Sequence, residues 1–120
     1  MNITVYGISS CDTVKKARTW LQQHAIDFHF HDFRKDGLDA VLVAQMLAAL
    51  GIEKVVNKRG TTWRQLDADQ QAEVLSAAAS ARLLVEHPTL IKRPVIAIDD
   101  HWLIGFSKQD QHALSDHLGL

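Results

Sequence analysis

The sequence predicts an α/β fold built on a four-stranded mixed sheet, with a helical insertion between the second and third strands. Three observations predict it. The chain opens with a strand run, a helix-period segment and a second strand run. An Ala-rich helical stretch fills the middle, and two apolar runs at hairpin spacing precede a helix-capping signal near the end. At 120 residues the chain fits one domain, 1–120, able to bury a single core without disulfides.

Ile3 to Tyr6 reads as the first strand. After the turn Gly7-Ile8-Ser9-Ser10, Asp12 to Ala25 reads as a helix, because Val14, Ala17, Leu21 and Ala25 keep helical spacing. Phe28 to Phe33 reads as the second strand, parallel to the first because a helix joins them. Asp39 can cap a helix with Leu42, Val43, Met46, Leu47 and Leu50 on one face, ended by Gly51. The polar segment Asn57 to Thr62 leads into helical stretches over 69–79 and 80–86, and Pro88 begins a short turn. Val95 to Ile98 and Trp102 to Ile104 flank Asp99-Asp100-His101 as a hairpin, and Ser107-Lys108-Gln109-Asp110 opens a last helix that buries Ala113, Leu114 and Leu118. Two parallel strands, a helical insertion, then an antiparallel hairpin and a helix describe a thioredoxin-like sheet.

Composition removes several function classes. Thirteen Lys and Arg against 14 acids leave a net charge of −1, so no broad attraction to nucleic acid or to anionic membrane is expected. No 18-residue apolar stretch and no leader pattern occur, and a cytoplasmic location is the expectation. A single cysteine rules out an intramolecular disulfide. Any redox cycle at it must take its second thiol from another molecule.

That cysteine, Cys11, stands where a strand turns into a helix, among the polar residues Ser9, Ser10, Asp12 and Thr13. Unpaired amides and the positive end of the helix dipole there favour a thiolate. Lys15, one turn on, adds cationic support, while the adjacent Asp12 carboxylate opposes a second negative charge. A buried cysteine would be a small hydrophobe, but the polar neighbours argue against that. Pro94, at the first residue of a strand run, follows Arg93, whose guanidinium can stabilise a thiolate or grip an anion bidentately. In a thioredoxin-like fold the Arg93-Pro94 bond would be cis and face the cysteine turn. Lys58 and Arg59 could bind an anion or simply be solvated. Trp63 and Trp102 read as packing residues, and His29 and His31 lack a third partner for a metal.

Cys11-Asp12-Thr13-Val14-Lys15-Lys16-Ala17, Asn57-Lys58-Arg59-Gly60 and His87-Pro88-Thr89-Leu90-Ile91-Lys92-Arg93-Pro94 together resemble the arsenate reductase (ArsC)/Spx family of thioredoxin-fold proteins, closest to its YffB-type branch. The resemblance runs along nearly the whole chain. It implies a thiol reductase with Cys11 and Arg93 as catalytic residues. Asp12, Thr13, Lys15, Asn57, Arg59, Arg93 and Pro94 would bind substrate, with no metal. It also implies glutathione as co-substrate, no tightly bound cofactor, and glutaredoxin as a further partner. Arsenate reductases of the family place two more arginines around the oxyanion, at positions that match Asn57 and Gly105 here. Spx-type regulators, which bind RNA polymerase, carry a Cys-x-x-Cys switch, and the position three after Cys11 is Val14. Arsenate reduction and polymerase binding therefore stand as alternatives, weakened by those departures and, for the regulator, by a C-terminus that stops soon after the last helix.

Overall fold

The computed structural model describes residues 1–120. Two compact units make up the chain, Met1–Gly37 with Arg93–Leu120, and Leu38–Lys92.

The first unit holds the whole sheet. Strands β1 (Ile3–Gly7), β2 (His29–Asp32), β3 (Val95–Ile98) and β4 (His101–Ile104) lie in the order β2-β1-β3-β4. β1 and β2 are parallel and joined by helix α1 (Asp12–Gln23), whereas β3 is antiparallel to both β1 and β4. This is the thioredoxin-like arrangement that the element order predicts. Alternation sorts the side chains to two faces. Ile3, Val5, Ile96 and Ile98 pack with Leu21 of α1 and with Leu114 of the last helix, and Phe30 and Leu103 border this core. The other face carries a row of rings. Tyr6 stacks on Trp102 at 5.7 Å between centroids and meets His31 at 5.2 Å, and the His31 Nε2 donates to the Gly37 carbonyl.

α1 forms because Val14, Ala17 and Leu21 make one apolar stripe, and all three are fully buried. Burying a side chain such as Leu21 contributes about 1.5–3 kcal/mol. The helix stops at Gln23, short of the expected Ala25. Ala25 turns to a φ of 56° and is exposed, so the alanine ends the helix instead of extending its buried face. β2 is likewise shorter than its apolar run, because Phe33 leaves the ladder after donating to the Gly7 carbonyl.

The second unit is helical: α2 (Ala40–Leu50), α3 (Ile52–Val55), α4 (Thr61–Gln65), α5 (Ala68–Val74) and α6 (Ser80–Glu86), then a 3-10 turn at Pro88–Leu90. Asp39 caps α2 by accepting from the Leu42 amide, and Gly51 ends it at a φ of 85°. The stretch expected as one helix over 69–79 ends at Val74. Ser76 breaks the run, its hydroxyl donating to the Glu73 carbonyl and accepting from the Ala79 amide. α3 and α4, of four and five residues, flank the polar segment at Asn57 to Thr62, α4 taking up its last two residues, and neither is anticipated by the sequence pattern. Trp63 lies half-buried here, its ring 5.9 Å from the Lys58 Nζ. The unit is tied across by the Val56–Ile91 bridge and by the Lys92 amide donating to the Val55 carbonyl at 2.7 Å. The last helix, α7 (Lys108–Leu118), belongs to the first unit and opens on the expected capping box of Ser107 and Asp110.

Candidate functional site

Cys11 is the N-cap of α1. Its amide donates to the Ile8 carbonyl, closing the turn that follows β1, and its carbonyl accepts from the Lys15 amide to begin the helix. The turn is held from below. A Cβ on Gly7 would lie 2.6 Å from Val14 Cγ2, so only glycine lets the strand end pass this close beneath the first helical turn.

The sulfur is partly exposed, and no side-chain hydrogen bond of ordinary capping geometry closes the helix end. The amides of Thr13 and Val14 instead act on the Sγ as close, aimed dipoles. Burial pushes the thiol pKa up, but the Val14 amide, the hydrogen bond and charge of the Arg93 guanidinium and the Thr13 amide outweigh it, so the thiol titrates below its ordinary value. Lys15 and Asp12, expected to act for and against the anion, are not among these groups. Arg93 precedes β3, its bond to Pro94 is cis, and the Pro94 carbonyl accepts from the Gly105 amide at 2.8 Å. Within the first unit the structure thus brings Cys11, Thr13 and Arg93 together.

Asn57 and Arg59 belong to the second unit. The Asn57 side chain accepts from the Arg59 amide at 3.2 Å, an Asx-type turn, and packs so near Gly60 that a Cβ there would meet its Nδ2 at 2.9 Å. The Arg59 side chain is exposed, while its carbonyl accepts from the Arg64 guanidinium. Gly105 has a φ of 87°, a conformation in which arginine would be strained.

One residue at the site escapes sequence reasoning. Asp32, at the end of β2, is only 3% exposed. Its carboxylate accepts from the amides of Ser9 at 3.2 Å, Arg34 at 2.8 Å and Lys35 at 3.3 Å. Burial raises its pKa, but the Arg34 amide, the Ser9 hydroxyl and amide and the Lys35 amide outweigh this and hold it below the usual carboxylate range. The Ser9 contact ties β2 to the turn that presents Cys11. An Asp followed at two and three residues by polar turn amides is the one signal that could have exposed it.

The sheet order and a thiol at the first turn of α1 define a thioredoxin-like protein with a single, polarised cysteine. The chain matches the ArsC family over residues 6–114 and belongs to it. It is 49% identical over 111 residues to an uncharacterized protein of Haemophilus influenzae, covering 92% of this chain and 96% of the relative. A solved YffB structure aligns at a TM-score of 0.84 and 39% identity, covering 93% of this chain and 97% of that one. An ArsC-related protein of Brucella melitensis aligns at 0.78 and 42%, covering 94% and 93%. The global transcriptional regulator Spx 2 of Lactococcus lactis is 28% identical over 113 residues, covering 92% of this chain and 84% of the regulator. No helix is long and apolar enough to cross a membrane.

Proposed function

We propose that the protein is a cytoplasmic monothiol reductase that works with glutathione. Cys11 is the nucleophile. Its thiolate attacks the glutathione sulfur of a mixed disulfide, a new Cys11–S–S–glutathione bond forms as the old S–S bond breaks, and the substrate leaves as a thiolate. A second glutathione thiolate then attacks the bound glutathione sulfur. This releases oxidised glutathione and restores Cys11, so the resolving thiol comes from outside the chain.

The observation that carries this reading is the set of donors on one sulfur: the Thr13 and Val14 amides and the Arg93 guanidinium act on Cys11 and outweigh its burial. Arg93 is the catalytic cation, and the segment around Pro94 receives the peptide part of the substrate, with Asp12, Thr13 and Lys15 bordering it. Asn57 and Arg59 are assigned to substrate binding by the family resemblance alone. Glutaredoxin is a candidate partner for recycling. The decisive experiment is intact mass after incubation with oxidised glutathione. A glutathione adduct should appear on the native chain and be absent in Cys11→Ser; no adduct on the native chain would end this reading.

Arsenate reduction is expected to be negligible with glutathione and glutaredoxin supplied. A tetrahedral oxyanion needs several convergent cations, and Gly105 contributes a backbone turn where an arginine would be needed. Each absent charge-assisted hydrogen bond forfeits about 1.5–3 kcal/mol. Robust, Cys11-dependent arsenate turnover would promote the arsenate reading. The likeness to proteins named Spx favours a second reading, a regulator bound to RNA polymerase, for which a polymerase pull-down is the test.

A further inference from the structure

Cys11, Lys15 and Arg18 stand at i, i+4 and i+7 along α1, which sets them on one flank of the helix. Two cations on one flank normally find acids. Here neither Lys15 nor Arg18 enters an ion pair; the pairs in the chain are Lys58–Glu53 and Arg82–Glu86. Like charges at i, i+3 repel, so the flank is unfavourable as it stands.

Arg18 is also held in place. Its guanidinium carbon lies 4.0 Å above the centre of the Phe30 ring, and its Nε is buried with no hydrogen-bond partner. Phe30 is packed against the core, so the cation rests on a fixed aromatic surface. The acid two residues further along β2, Asp32, is occupied by the amides of Ser9, Arg34 and Lys35. A pre-ordered guanidinium without an internal anion is suited to a carboxylate from outside, which it can grip bidentately.

We infer that Arg18, assisted by Lys15, is a carboxylate-binding subsite that selects anionic peptide thiols for Cys11. The inference rests on the thiol-exchange reading above. Its geometry fits a short peptide. Seven residues of helix span about 10 Å; the sulfur of the tripeptide sits on its middle residue, so a terminal carboxylate reaches about 7 Å from it, and the Arg18 side chain, leaning back toward the N-terminus, covers the remainder. A tripeptide joined to Cys11 through its sulfur can therefore lay a terminal carboxylate against Arg18.

The test compares oxidised glutathione with its fully esterified form, which keeps the disulfide and removes the carboxylates. The rate of Cys11 adduct formation is followed by intact mass for the native chain, Arg18→Met and Arg18→Lys. The readout is the acid-to-ester rate ratio within each protein, so any general change in thiol reactivity or packing cancels. The native chain should favour the acid by about tenfold at low salt, the scale of one charge-assisted hydrogen bond. That preference should fall as salt rises, be lost in Arg18→Met and be partly kept in Arg18→Lys. A native ratio equal to that of Arg18→Met, or one insensitive to salt, overturns the subsite. Reaction of the native Cys11 with neutral hydroxyethyl disulfide separates the two levels. If that reaction occurs without an acid preference, only the subsite fails; if it does not occur at all, the thiol-exchange reading fails and the subsite with it.

Discussion

Two helices of the first unit begin in opposite ways. α7 starts on a closed capping box: the Ser107 hydroxyl accepts from the Asp110 amide at 3.1 Å, and the Asp110 carboxylate accepts from the Ser107 amide at 2.9 Å. α1 starts on Cys11, and no side chain closes its first turn. A serine or aspartate at position 11 would satisfy the α1 amides from within the chain. The cysteine leaves them aimed at a sulfur. The difference separates a helix end closed by its own side chains from one whose donors face a thiol, a local departure from the capping rule.

The strongest way to break that comparison is Cys11→Ser. The glutathione adduct and iodoacetamide labelling should both disappear completely, and persistent modification would show that the chemistry lies elsewhere. Next in size is Asp32→Ala. It leaves the part-buried amides of Ser9, Arg34 and Lys35 without their acceptor, so a loss of about 2 kcal/mol is expected by urea denaturation. The sign with pH follows from the depressed carboxylate. Its stabilisation is full above the unfolded value of about 3.9 and is lost as pH falls through the lower folded value. The gap between the native chain and Asp32→Ala should therefore close below about pH 4. A gap that widens there would mean that Asp32 is not an anion in the folded chain.

Arg93→Met should come third. The thiol loses a hydrogen bond and a nearby positive charge, so the midpoint of its alkylation rate against pH should rise toward that of a free cysteine, with slower labelling at neutral pH. An unmoved midpoint would assign the depression to the helix amides alone. The smallest effects sharpen the contrast directly. Ser107→Ala should cost about 1 kcal/mol and leave the Cys11 alkylation profile unchanged, whereas Cys11→Ser should gain roughly 0.5 kcal/mol by supplying the absent cap. A Cys11→Ser chain less stable than the native one would show that the sulfur already caps the helix.

Local features were legible in the sequence. Strand, turn and helix around Cys11 follow from apolar spacing over a few residues, and the cap at Asp39 and the box at Ser107 announce their helices by residue type. What escaped depends on conformation that apolar spacing does not encode. Ala25 has the composition of a helix residue and ends one at a φ of 56°. α3 and α4 are too short to show a period of 3.6 residues. Asp32 falls within a strand run, Phe28 to Phe33, and its role appears only when Ser9, 23 positions away in sequence, is brought beside it. Arg93 was legible from its place before Pro94 and from the family resemblance; its hydrogen bond to Cys11 requires the sheet that sets β3 beside β1.

The tryptophans label the two units separately. Trp20, whose ring lies 4.1 Å from His24, and Trp102, stacked on Tyr6, belong to the first unit, and Trp63 alone belongs to the second. Replacing Trp63 by phenylalanine leaves emission that reports only on the sheet and its cysteine. Replacing the other two leaves emission from the helical insertion alone. The chain thus carries a built-in optical means of asking whether the two units melt at one temperature or at two.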